Sequence, residues 1–175
     1  MEPPPPDIQQ QPPAGDSEEQ FRFESHNIRG LAQKLHTLLG TNVDLYALQE
    51  TDVAEYDIGR LCVAAVDKGY QLLFGDTVNM AKVGGVRMGR RTALLCKGPA
   101  APMKTTALDD AVCQQLLVTG RWIEALVPLK QGYGHILAAS AYGYSGASSG
   151  GEEYNLNEML AANMVARAAQ RPRVP

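Results

Sequence analysis

No stretch of this sequence is apolar for long enough to cross a bilayer, which excludes a helical membrane span. The N-terminus lacks a basic region followed by an apolar run, so it does not read as a secretory signal. Only three cysteines occur, Cys62, Cys96 and Cys113, and they lie far apart in apolar surroundings. They fit no zinc spacing and cannot all pair, so buried free thiols in a reducing compartment are expected, the nucleus or the cytoplasm. No Gly-Lys-Ser/Thr follows Gly84-Gly85 or Gly89, which excludes a P-loop. The first 20 residues contain no Lys or Arg at all.

That N-terminal segment does contain six of the eleven prolines, a glutamine run and five acids. Its apolar surface is too small to offset the entropy of ordering it, so residues 1–20 are expected to be disordered. The body that follows holds 16 basic and 14 acidic residues, a net +2 hidden under a formal −3 for the whole chain of 175. A mildly basic body tolerates a polyanion without requiring one. About 150 residues remain, enough for one domain with a real core.

Hydrophobic spacing predicts the order of elements. Phe21 to Asn27 alternates as a strand, and Ile28 to Leu39 carries Leu31, Leu35 and Leu38 at helical spacing up to Gly40. Val43 to Leu48 is a short apolar run of the kind found in a central buried strand, with Glu50 at its carboxyl end. Ile58 to Val66 fits a second helix. Strands are expected at Tyr70 to Phe74, Thr92 to Lys97, Cys113 to Val118, Arg121 to Leu129 and His135 to Tyr142. A Gly/Ser-rich loop, Gly143 to Gly151, leads to a last helix, Asn155 to Gln170. Two early βα units followed by antiparallel hairpins predict an α+β layered domain with a mixed sheet.

Two early strands end in polar residues, Asn27 and Glu50. If the strands are neighbours, the amide and the carboxylate stand side by side at the sheet edge where α/β ligands gather. Magnesium takes hard oxygens, keeps several waters, and often uses only one or two carboxylates. The bland reading of the same residues is a solvated loop or a helix cap.

Asn27-Ile28-Arg29-Gly30-Leu31 followed by Asp44-Leu45-Tyr46-Ala47-Leu48-Gln49-Glu50-Thr51 resembles the endonuclease/exonuclease/phosphatase superfamily. Gly69-Tyr70, Val83-Gly84-Gly85-Val86, Gly120-Arg121-Trp122-Ile123-Glu124-Ala125 and Ala139-Ser140-Ala141-Tyr142-Gly143 are similar to later motifs of that family in the same order. The resemblance runs from about Phe21 to Gln170. It implies a DNase I-like layered β-sandwich with flanking helices over residues 21–171. It also implies Mg2+ (or Mn2+) on Glu50, with Asn27 positioning water and phosphate and Tyr142 approaching the scissile phosphate. DNA or RNA is the implied substrate. The same core also serves inositol-phosphate and sphingolipid substrates.

The sequence departs from the family at Ser140, where asparagine is common, and near Tyr144, where some members carry histidine or proline. The family's later Gly-Asp-x-Asn and Ser-Asp-His segments, which supply the base and further acids, have no counterpart. Only the first half of the domain is therefore expected, with little nuclease activity on its own. Its inner sheet face is expected to be left bare unless another chain supplies the missing half. A non-catalytic remnant or interaction module on the same scaffold is the rival reading. His26 falls on the opposite strand face from Asn27, and His36 and His135 read as structural. Lys82, Arg87, Arg90 and Arg91 read as a solvated glycine-rich loop, or else as a nucleic-acid contact. Asp109-Asp110 reads as a turn cap, and Glu152-Glu153 as favouring the start of the last helix.

Overall fold

The structure is a computed structural model and describes residues 20–82, 85–102, 118–129, 134–144 and 150–169. The disorder expected of the N-terminal segment lies outside these residues, as do the strand expected at Cys113–Val118 (except Val118), the Asp109-Asp110 turn and the middle of the Gly143–Gly151 loop.

The chain is a mixed α+β fold with two sheets. In the first sheet, β1 (Phe23–Asn27) pairs in parallel with β2 (Leu45–Ala54). β2 pairs antiparallel with the long β5 (Gly85–Lys97), which also pairs with β3 (Tyr70–Phe74) and β4 (Val78–Lys82). The second sheet is antiparallel, in the order β6 (Ala101–Pro102), β7 (Trp122–Pro128), β8 (His135–Ala141). Helices α1 (Leu31–Leu39), α2 (Ile58–Val66) and α3 (Glu152–Ala169) complete the described elements, with a 3-10 turn at Glu55–Asp57 before α2. Among the described residues no helix is long and apolar enough to cross a membrane.

β2 explains the layering. Its residues alternate between two cores, which is why it reads as a continuous apolar run. Tyr46, Leu48 and Val53 face α1 and α2, packing with Leu31, Leu35, Leu61 and Leu95. Leu45 and Ala47 face the other way, with Leu94 and Cys96, against Ile123, Ala125, Val127 and Ala138 of the second sheet. Trp122, on the far side of the second sheet, packs with Leu160 of α3. The inner face of the first sheet is therefore covered, contrary to the bare face expected from the sequence. The hairpin β7–β8 lies over it and leaves Leu45, Ala47, Leu94 and Cys96 at most 3 % exposed.

Several elements differ from the sequence reading; the last helix, for one, begins at Glu152 rather than Asn155. α1 starts at Leu31 rather than Ile28, because Arg29 (φ 42) and Gly30 (φ 89) are left-handed and cannot be helical. β2 does not stop near Glu50 but runs to Ala54, with a register irregularity between Gln49 and Val53. Where it is described, at Lys82 and Gly85–Arg91, the basic stretch is paired strand rather than loop. Val78–Lys82 and Gly85–Lys97 pair as a β-hairpin, and backbone pairing there does not depend on an apolar pattern. Cys62 and Cys96 are free, and burial pushes both thiols up, Cys96 to about 12. Neither is a ready nucleophile.

Candidate functional site

The site forms where β1 ends, β2 bulges and β8 leaves the second sheet. The parallel register of β1 and β2 sets Asn27 opposite Gln49, one residue from Glu50. The backbone then turns sharply. Ile28 N–H donates to the Gln49 carbonyl at 2.9 Å, and Gly30 N–H to the Glu50 carbonyl at 3.1 Å. Gly30 supplies the left-handed conformation without a Cβ penalty. The non-glycine residues Arg29, Glu50 (φ 51) and Asp52 (φ 49) adopt it at a cost of about 1–3 kcal/mol each. These are the positive-φ non-glycine residues among those described, and all three lie at this one place. Strain of this kind persists only where surrounding contacts hold it, and it clusters at functional sites.

The bulge turns the Glu50 side chain toward three donors. Asn27 Nδ2 donates to Glu50 Oε1 at 2.8 Å and the Tyr142 hydroxyl donates to the same oxygen at 2.7 Å. Arg29 Nε donates to Oε2 at 3.0 Å. The Tyr142 bond, then the Asn27 bond, hold the Glu50 carboxyl below its usual range; burial opposes this, and the Arg29 charge adds to it. Glu50 is therefore ionised at neutral pH. Its side chain is 21 % exposed, while that of Arg29 is 80 % exposed.

The neighbours of these groups come from both sheets. Ser140 is fully buried on β8; its hydroxyl donates to the Leu48 carbonyl at 2.9 Å and accepts from Gln49 Nε2 at 3.3 Å. Ser140 thus ties the second sheet to β2 beside the site. Arg121 precedes β7. Its guanidinium donates to the carbonyls of Tyr142 at 3.3 Å and Gly143 at 2.7 Å.

Neither a protein-family model, nor a curated protein, nor a solved structure matches the chain.

The three site residues named from the sequence, Asn27, Glu50 and Tyr142, stand together, although Tyr142 lies 92 residues from Glu50. His26 does not join them. It is 2.7 Å from Glu24 Oε2, with its ring against Tyr46 on the opposite strand face. Arg90 of the basic stretch is engaged as well: it forks onto Glu55 at 3.2 and 3.1 Å and donates to the Gly75 carbonyl at 2.6 Å. Sequence reading placed Arg29 and Arg121 in motifs and noted Ser140 as a departure, but gave none of the three a role in the site. The signal for Arg121 is the Gly120-Arg121 pair that opens its strand.

The donor set bears on whether a metal fits. Among the described residues no cluster of three or more His, Cys, Asp or Glu side chains could hold a metal ion. An all-protein cage is thus not built from these residues. A single ionised carboxylate, partly open to water and beside an amide, does suit magnesium, which retains several waters. Arg29, on a long exposed side chain, is the group that would have to yield Oε2 to it.

Proposed function

We propose that this chain carries half of a magnesium-dependent phosphodiester-cleaving site of the endonuclease/exonuclease/phosphatase type, directed at nucleic acid. The observation that supports this reading is the Glu50 carboxylate, kept ionised by Asn27 and Tyr142, which the fold draws from separate strands. Glu50 would hold Mg2+ (or Mn2+) with water completing its shell, and the Asn27 amide would stand beside it. A metal there would neutralise charge on a phosphate oxygen and acidify its bound water. The Tyr142 hydroxyl and the Asn27 amide are the donors on hand for a phosphodiester oxygen. Under this reading the DNase I-like sandwich is the fold, and the protein works in the nucleus or the cytoplasm.

One carboxylate is a weak metal site, and no general base stands with it among the hydrogen-bonded groups described above. Weak metal binding and little hydrolysis by this chain alone are the consequence. The remaining acids would have to come from outside these 175 residues.

The second reading is a non-catalytic scaffold, and one observation favours it. Asn27, Tyr142 and Arg29 together occupy three of the roughly four acceptor positions of the carboxylate. A fully engaged carboxylate would act as a knot between strands and need no metal. Calorimetric titration of the purified chain with Mg2+ and Mn2+ separates the two readings. Saturable binding that disappears in Glu50→Gln supports the half-site. Identical heats for wild type and Glu50→Gln refute it and leave the scaffold. The nucleic-acid module using the basic stretch is the least supported reading, because Arg90 is already engaged with Glu55. It predicts DNA binding that salt weakens and that magnesium does not affect.

A further inference from the structure

Arg121 is 8 % exposed, and among the described residues no carboxylate pairs with it. Desolvating a guanidinium is costly unless its donors and its charge are met, so such a residue is rarely a simple stabiliser. Here its needs are met by the loop that carries Tyr142. The Arg121 carbonyl accepts the Tyr142 N–H at 2.9 Å, and the guanidinium donates to the carbonyls of Tyr142 and Gly143. Its Cζ lies 4.8 Å from the centre of the Tyr142 ring and 3.5 Å from that of Tyr144, within the range of cation–π attraction.

The loop is also gripped by α3. Asn157 of α3 accepts the Tyr144 N–H at 2.6 Å and donates to the Tyr144 carbonyl at 2.9 Å, a two-point latch on the backbone of one residue. A Cβ on Gly143 would meet Asn157 Oδ1 at 3.0 Å, so a side chain there would press on the latch and shift it by a few tenths of an ångström. Between latch and guanidinium, both ends of the Tyr142–Tyr144 segment are held. The hydroxyl of Tyr142 then meets Glu50 at 2.7 Å.

We infer that Arg121, stacked between Tyr142 and Tyr144 and backed by the Asn157 latch on α3, is a positioning residue that aims the Tyr142 hydroxyl at the Glu50 carboxylate. The Glu50 carboxylate is held by Asn27, Arg29 and Tyr142, and Arg121 acts on it through the tyrosine. α3 thereby becomes part of the site's machinery rather than only a cover for Trp122. The relevance of this to metal binding rests on the half-site reading; the aiming of the hydroxyl does not.

The test is a pH titration of the Glu50 side-chain carbonyl by carbon NMR in the full chain, for wild type, Tyr142→Phe, Arg121→Met, Arg121→Lys and Asn157→Ala. Amide spectra report whether each variant is folded. Tyr142→Phe is expected to move the Glu50 titration upward. Arg121→Met, which keeps the apolar stem but has no donors, and Asn157→Ala are expected to move it in the same direction. Neither is expected to move it further when combined with Tyr142→Phe. A Glu50 titration unchanged in folded Arg121→Met overturns the inference, as does one that Tyr142→Phe itself fails to move. If Arg121→Met does not fold, Arg121→Lys and Asn157→Ala decide on the same terms. Adding Mg2+ to the same samples keeps the two claims apart. A Glu50 signal that follows the variants and ignores Mg2+ refutes the metal reading alone. One that responds to Mg2+ and ignores Arg121 and Asn157 refutes the positioning alone.

Discussion

Tyr142→Phe removes one hydroxyl from the Glu50 cluster and leaves the ring in place. The lost contact is a 2.7 Å bond to an ionised carboxylate, the kind that contributes about 1.5–3 kcal/mol when shielded from water. Glu50 is 21 % exposed and Tyr142 is half-buried, so water recovers part of this. A loss of about 1 kcal/mol at pH 7 is expected, which for a domain of this size lowers Tm by about 2–4 °C. The pH dependence is the sharper part. The Glu50 carboxyl lies below its usual value of 4.5 in the folded chain, chiefly because of Tyr142. A depressed carboxyl stabilises the fold above its unfolded pKa and loses that contribution as pH falls through its folded value. The gap between wild type and Tyr142→Phe should therefore narrow as pH falls through the folded value, which lies under 4.5. Once Glu50 is protonated only a neutral hydrogen bond remains, worth roughly half as much. Urea unfolding of both proteins at pH 7 and pH 3 measures this. Equal gaps at the two pH values, or none at pH 7, would refute the argument that the hydroxyl acts by supporting the ionised carboxylate.

Three other outcomes follow from the packing. Gly75→Ala places a Cβ 2.4 Å from Thr92 Oγ1 and 3.2 Å from the Trp122 carbonyl, where the sheets meet. It should cost about 1–3 kcal/mol, seen as a lower urea midpoint with an unchanged slope. Glu55→Gln combined with Arg90→Met in a double-mutant cycle should show a coupling of only about 0.5 kcal/mol, shrinking in salt, since Glu55 is half exposed. His26→Ala should leave the Mg2+ titration unaltered, because His26 is paired with Glu24 away from Glu50; altered binding would place it in the site after all.

Much of the fold was legible because burial writes itself into periodicity. The apolar run at Val43–Leu48 announced a strand buried on both faces, and its alternate residues do enter two cores. Leu31, Leu35 and Leu38 announced the inward face of α1, and Leu61 and Ala65 that of α2. The start of α1 was misread because apolar Ile28 is buried without being helical. Polar residues hid the rest. Gln49-Glu50-Thr51-Asp52 concealed the continuation of β2, and the arginines of Gly85–Arg91 concealed the hairpin, since backbone pairing needs no apolar side chain.

Local pattern put Asn27 and Glu50 each at the end of a short strand, and side by side if those strands paired; the parallel register of β1 and β2 supplies that condition. The packing of the two sheets brings the Tyr142 hydroxyl onto Glu50, ties the second sheet to β2 through Ser140 beside the site, and buries Arg121 against Tyr142 and Tyr144. The reason is physical. Local spacing records which side of an element is buried, whereas contacts between residues some 90 positions apart depend on how two sheets stack and where their strands end.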